Sequence, residues 1–355
     1  MRIGILTQKL ENNYGGILQN YALQTVLRRM GHSPITIDFR PGDSYFWYVL
    51  YQLAAILKKV VLKRDTIVRP YSYYKTNRSI FTTQFIKNNI NTTKRLQFIS
   101  PLIPILYRFN AVIVGSDQVW RSDYNVLRNT YLSFVRNEVI KIAYAASFGL
   151  KDWTYNESQT QECSVLASRF RAISTRERNG VLLCNKYLNV NATHVLDPTM
   201  LLNQSEYESL CSKIPVSNDR ILFSYILDLT DEKKDFIIKT ANKMKLVPII
   251  ISAEDKLSCS IESWLAYYRD SEFIITDSFH GTVFSLIFHK PFNCLLNESR
   301  GNDRFESLLT LFEMTDRVAK IGSINTDEIN WQAFDKILSG QKELSINFLK
   351  SNLYL

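Results

Sequence analysis

The sequence predicts an α/β protein made of two Rossmann-like, doubly wound halves that face a cleft. Three observations carry this expectation. Short apolar runs alternate with helical stretches, the pattern of parallel sheets. The alternation comes in two series that part near residue 205. The chain also has 355 residues, 46% hydrophobic and 22% charged, which suits about two globular domains and argues against disorder, collagen or coiled coil.

The elements follow in order. Arg2–Thr7 (RIGILT) reads as a strand, a polar loop runs to Gly15-Gly16, and residues 17–30 show helical spacing that stops at Gly31. Residues 33–39 complete a strand–helix–strand unit. The pattern loosens over residues 40–110, an irregular insertion. It resumes with strands at 111–115, 141–146, 172–175 and 194–196, and the turn Asp197-Pro198-Thr199 closes the half. The second series alternates strands at 220–227, 247–252, 272–276 and 291–296 with helices at 233–245, 261–268 and 282–289. The expected domains are 1–205 and 206–330, with a final helix in 331–355 that returns to the first.

Charge and composition bound the function. The net charge is 43 − 34 = +9, which suits nucleic acid, an anionic membrane surface or small anionic substrates. The basic residues are dispersed and no recognition motif appears, so nucleic acid is not an expected partner. Five scattered cysteines without a CxxC pair indicate a reducing compartment and no disulfide framework. The four histidines lack ligand spacing, so no metal is expected. The first apolar run ends at Leu6, far short of a signal peptide, and the expected location is the cytoplasm. Residues 45–57 (YFWYVLYQLAAIL) are almost wholly apolar, yet shorter than the roughly 20 residues a span requires. With Lys58, Lys59, Lys63 and Arg64 beyond them, they read either as a helix packed on the core or as a peripheral membrane contact over residues 45–64.

In open α/β sheets, ligands bind beyond the carboxyl ends of the strands. The residues that follow each strand are therefore the candidates. Gly15 and Gly16 open a helix and either admit a ligand to its N-terminus or serve a tight turn. Asp117 follows an apolar strand and is either a base for a substrate hydroxyl or a helix cap. Arg176 either aims its planar fork into the cleft, toward phosphate or carboxylate, or pairs with Glu177. The run Thr276-Asp277-Ser278-Phe279-His280-Gly281 is the sharpest signal, a polar group of residues between an apolar strand and an apolar helix. His280 stands there at a helix N-terminus, with Asp277 as the residue to orient it.

Six blocks then fall in one order: NYGGILQNYALQTVLRRMG, VIVGSDQVW, KIAYAASFG, ISTRERNG, LDPTML and ITDSFHGTVFSLIFHKPF. Together they resemble the polysaccharide pyruvyl transferase family, over residues 1 to about 320, with residues 40–110 carrying little of the likeness. The resemblance implies a GT-B-like fold. It implies an enzyme that transfers pyruvate from phosphoenolpyruvate onto sugar hydroxyls of a cell-surface or exopolysaccharide precursor, giving a ketal and phosphate. Phosphoenolpyruvate is then the donor substrate and no cofactor is required. The partner is a sugar acceptor, free or lipid-linked. Characterised relatives hold the donor with an arginine of the first half and an Arg-Leu-His segment of the second. Arg176 matches that arginine, Phe279 the leucine and His280 the histidine. Ser278 stands in the arginine's place, and Lys290 and Arg304 are the candidates to restore the charge. With that donor, His280 is expected to serve catalysis, at the donor phosphate or in proton transfer, Arg176 the donor anion and Asp117 the acceptor hydroxyl. Two alternatives share the cleft. One is a glycosyltransferase that uses a nucleotide sugar, with Glu298 or Glu306 on the ribose. The other is a non-catalytic carbohydrate-binding protein.

Overall fold

The computed structural model describes residues 1–40, 45–61, 79–123, 126–252, 259–296 and 301–354. Lys63, Arg64 and Glu298 lie outside the described residues. The first half carries β1 (Arg2–Leu6), β2 (Ser33–Thr36), β3 (Ala111–Val114), β4 (Ile140–Ala146), β5 (Ala172–Thr175) and β6 (Thr193–His194). They form a parallel sheet in the order β2-β1-β3-β4-β5-β6. The second half carries β7 (Ile221–Ile226), β8 (Val247–Ser252), β9 (Ser271–Thr276), β10 (Phe292–Leu295) and β11 (Val318–Ala319). These are also parallel, in the order β11-β10-β9-β7-β8. Every position of β3 and β7 is buried, which is why β3 reads as an unbroken apolar run and β7 as one broken only by Ser224.

Each sheet reverses its winding once. β2 and β3 flank β1 on opposite sides, and β8 and β9 flank β7 in the same way. Such reversals leave crevices beyond the carboxyl ends of β1 and β3, and of β7 and β9.

The first helix starts at Tyr14, three residues before the apolar spacing suggests, because Asn13 caps it. The Gly16 N–H donates to Asn13 Oδ1 at 3.0 Å. Gly15 and Gly16 therefore sit in the first helical turn, not in a loop. Tyr14 crosses to the second half, where its hydroxyl donates to the Cys259 carbonyl at 2.6 Å. Its ring lies 5.9 Å from Tyr225 and 5.7 Å from Trp264. One apolar core runs through both halves, from Ile3, Ile17 and Leu23 to Phe223, Trp264 and Phe284. Aromatic contacts of this kind bury large areas and fix the halves against each other.

The last helix, Trp331–Leu353, lies on the first half. The Leu196 N–H donates to Ser345 Oγ at 3.0 Å, and Phe348 packs 6.2 Å from Tyr144. The apolar segment after residue 44 forms the helix Tyr45–Val61. The expectation that it packs on the core holds only for its small side. Gln52 and Ala55 are buried, whereas Phe46 and Leu53 are 67% and 59% exposed.

Candidate active site

The residues after β9 are held by tight local bonding. Asp277 does not orient His280, as the sequence suggested. Its Oδ1 accepts the Leu227 N–H at 2.5 Å, and its Oδ2 accepts the Asp228 N–H at 3.3 Å and Lys233 Nζ at 2.7 Å. The physical reason is the crevice itself: the backbone leaving β7 carries N–H groups that need an acceptor. Ser278 caps the helix Phe279–Ile287, accepting the Gly281 N–H at 3.2 Å. Gly281 has no room for a side chain, since a Cβ would lie 2.1 Å from Thr276 Oγ1.

His280 is buried in the first turn of that helix and faces the first half. Its neighbour there is Gly15, whose absent Cβ would fall 2.1 Å from the imidazole Cγ and Nδ1. Gly15 is thus a seat for the imidazole. Gly16 is less tightly held, with a Cβ position 3.4 Å from Asp117 Oδ2. On the other edge of the ring, Nε2 lies 3.6 Å from Asp197 Oδ2.

Arg176 follows β5, as expected, but its fork does not point into an open cleft. The side chain is 1% exposed. Its Nη1 donates to Asp197 Oδ2 at 2.9 Å, its Nη2 to Asp117 Oδ1 at 3.3 Å, and its Nε to Glu177 Oε1 at 3.3 Å. A buried guanidinium needs countercharge on every side, and three carboxylates supply it. Asp117 does not cap a helix. Its φ is +83°, and its carbonyl accepts the Ser147 N–H at 3.1 Å. Such a conformation at a non-glycine residue costs on the order of 1–3 kcal/mol, and strain of this kind gathers at functional sites.

Asp197 joins the two halves of the cluster. Its Oδ1 accepts the Thr199 N–H at 3.0 Å and hydroxyl at 2.7 Å, and its Oδ2 accepts the Ser116 hydroxyl at 2.8 Å. Burial alone would push this carboxyl up; the adjoining His280, Arg176 and Thr199 outweigh it and hold it well below the usual carboxylate range. Glu177 moves the other way. Burial raises it, and Arg176, the Ser147 hydroxyl at 2.5 Å and Arg304 offset that only in part. Asp303 is pushed up to about 6 by burial and by the charges of Glu177 and Glu306.

Phe279 lies beneath two guanidinium groups, with Arg176 at 4.7 Å and Arg304 at 5.5 Å from the ring centroid. Arg304 therefore belongs to the site. Lys290 does not. It stands at the amino end of β10, the opposite edge from His280, among the charges of Asp270, Glu208 and Glu272. Glu306 is exposed. The cluster is not the basic pocket that a doubly negative donor suggested: Arg176 and Arg304 face Asp117, Glu177, Asp197 and Asp303. Chemically, it offers an imidazole beside a carboxylate, a pairing suited to moving a proton.

Asp197 and Asp303 were missed as site residues, and Glu177 was seen only as a partner for Arg176. Asp197 was legible. It comes three residues after β6, at the same sheet edge as the other candidates, but the Asp-Pro-Thr run reads as a turn. Asp303 had no local signal, because it reaches Glu177 from another half of the molecule.

Two facing parallel sheets with their crevices opposed define a two-domain α/β protein of GT-B-like fold. The family model of the polysaccharide pyruvyl transferases matches residues 13–299, and the chain belongs to that family. Among solved structures it is similar to a putative UDP-N-acetylglucosamine 2-epimerase from Listeria monocytogenes, at 9% identity over 99% of this chain and 91% of that one, with a TM-score of 0.51. It is also similar to the UDP-GlcNAc 2-epimerase of Methanocaldococcus jannaschii, at 12% identity over 97% and 100%, with a TM-score of 0.48. At these identities the likeness is one of fold. No curated protein shows a significant sequence match.

Proposed function

We propose that the chain transfers the pyruvyl group of phosphoenolpyruvate onto two hydroxyls of a sugar in a polysaccharide precursor. The C2–O bond to phosphate breaks and two C–O bonds form at C2. The methylene carbon takes one proton and becomes a methyl group, and the second hydroxyl proton leaves with phosphate. One observation carries the reading beyond the family: His280 of the second half and Arg176 of the first meet on the carboxylate of Asp197.

In this reading His280 moves the proton and Asp197 supports its charged form. Arg304 and the N-terminus of the helix Phe279–Ile287 receive the donor's negative charge, in place of the arginine absent at Ser278. Arg176 holds the carboxylates of Asp197 and Asp117 in position. Its guanidinium contributes to the donor where the donor's anion displaces the Glu177 carboxylate from Nε.

The test is phosphate release from phosphoenolpyruvate in the presence of glycan acceptors. Release with wild type and its loss with His280→Ala supports the reading. No release with any acceptor, or full release with His280→Ala, sinks it. Transfer from a nucleotide sugar to the same acceptors, read as release of the nucleotide, would establish the glycosyltransferase reading instead.

A further inference from the structure

Among its described side chains, the helix Tyr45–Val61 turns a large apolar stripe outward. At about 100° per residue, Phe46, Val49, Leu50, Leu53, Ile56 and Leu57 share one stripe roughly 120° wide. All six are exposed, Leu57 by 64%. The buried side carries Gln52 and Ala55. A helix that serves only the core does the opposite. Lys59 is exposed in the helix's last turns, about 120° round from the centre of the stripe, and in sequence Lys58, Lys63 and Arg64 stand near it without a single acid between Tyr45 and Arg64.

The described residues on either side of this helix stand at one edge of the first sheet. The chain leaves the first sheet beyond the carboxyl end of β2, where the Arg40 N–H donates to the Leu96 carbonyl at 2.8 Å. It is held again at Ser79, whose N–H donates to Asn12 Oδ1 at 2.7 Å. Thr82 Oγ1 donates to the same oxygen at 3.1 Å. Asn12 precedes the cap of the helix that seats His280, so both flanks stand on the sheet edge where the site is built.

We infer that this helix is an interfacial anchor that docks the protein on an anionic lipid bilayer. The apolar stripe enters the acyl boundary and the basic residues meet the headgroups. Among the described residues no helix is long and apolar enough to cross a membrane, so the anchor lies on the surface. Resting on the pyruvyl-transfer reading, the acceptor is then a glycan carried on a lipid in that bilayer, presented to the sheet edge beside the helix.

The docking test needs no substrate. The protein is sedimented with vesicles of phosphatidylcholine mixed with phosphatidylglycerol, and with vesicles of phosphatidylcholine alone. Wild type partitions to the mixed vesicles and is released by rising salt. The double variant Phe46→Ser/Leu53→Ser, folded by circular dichroism, loses at least about tenfold in partitioning. Lys59→Glu weakens binding to the mixed vesicles only. Binding that the double variant leaves unchanged overturns the inference. So does a wild-type dimer that the variant dissolves without any vesicle binding, since the stripe would then join two copies. The acceptor half is tested by turnover on a glycan carried in vesicles against the same glycan free in water. A loss in the double variant confined to the vesicle-borne acceptor supports it, and equal rates overturn it. Wild type inactive on both acceptors counts against pyruvyl transfer, while the vesicle result still decides the docking.

Discussion

His280 Nε2 and Asp197 Oδ2 lie 3.6 Å apart, joining the first turn of a second-half helix to the turn that follows β6 of the first half. Neither residue is within reach of the other in either half alone. The same carboxylate accepts Arg176 and Ser116, so a single side chain couples the imidazole to the buried charge network.

That coupling makes Asp197→Asn informative. The amide keeps an oxygen for Thr199 but carries no charge to support His280. Turnover is expected to fall about 10²–10⁴-fold with the fold retained. Unchanged turnover, measured as phosphate release, would exclude Asp197 from the chemistry.

Arg176→Met removes the guanidinium that pairs with Asp197, Asp117 and Glu177 at once. Loss of one member of a buried ion cluster typically costs about 3–5 kcal/mol. Denaturant unfolding should show a loss of that order. A loss under about 1 kcal/mol would mean that the carboxylates are protonated or solvated once the guanidinium is gone.

Gly15→Ala tests the seat of the imidazole. The new methyl would meet His280 Cγ and Nδ1 at 2.1 Å and Cβ at 2.5 Å, so turning the ring cannot relieve it. The variant should lose about 1–3 kcal/mol and most of its turnover. Gly16→Ala meets nothing closer than 3.1 Å, at Asn13 Nδ2, and serves as the control. Equal behaviour of the two variants would refute the seat.

Ser278→Ala separates a capping serine from a donor ligand. Loss of the cap to Gly281 should cost about 1 kcal/mol in thermal or denaturant unfolding. The KM for the donor should stay within error. A marked rise in KM with stability intact would reverse the assignment.

Asp303 sets a pH dependence. Its carboxyl titrates at about 6 in the folded chain, raised by burial and neighbouring acids, against about 3.9 when unfolded. The folded state therefore holds the proton more tightly. The contribution is fully present below about pH 4 and is lost as the pH rises through about 6. Thermal melting of Asp303→Asn should gain on wild type across that window. Parallel melting curves from pH 4 to 7 would show that the carboxyl is not perturbed.

The sequence by itself determined the two wound halves and most of the candidate positions. Parallel strands buried on both faces are mostly apolar, so β3, β7 and β9 stand out despite Ser224 in β7 and the exposed Glu272 in β9, and the candidates Asp117 and His280 follow β3 and β9. The two-residue β6 shows only through the short apolar run at 194–196, and the two-residue β11 carries no such pattern. Family membership was legible for a similar reason, since its blocks are local. Tertiary structure alone decided what the charged groups do. Whether Arg176 faces an open cleft or three acids, and whether Asp277 serves His280 or the backbone after β7, depends on side chains brought together from distant parts of the chain. Burial turns those meetings into large electrostatic effects, and neither distance nor burial is written in the order of the residues. The helix after residue 44 shows the same division: its apolar stripe is a property of the sequence, but that the stripe faces outward is seen only in the tertiary structure.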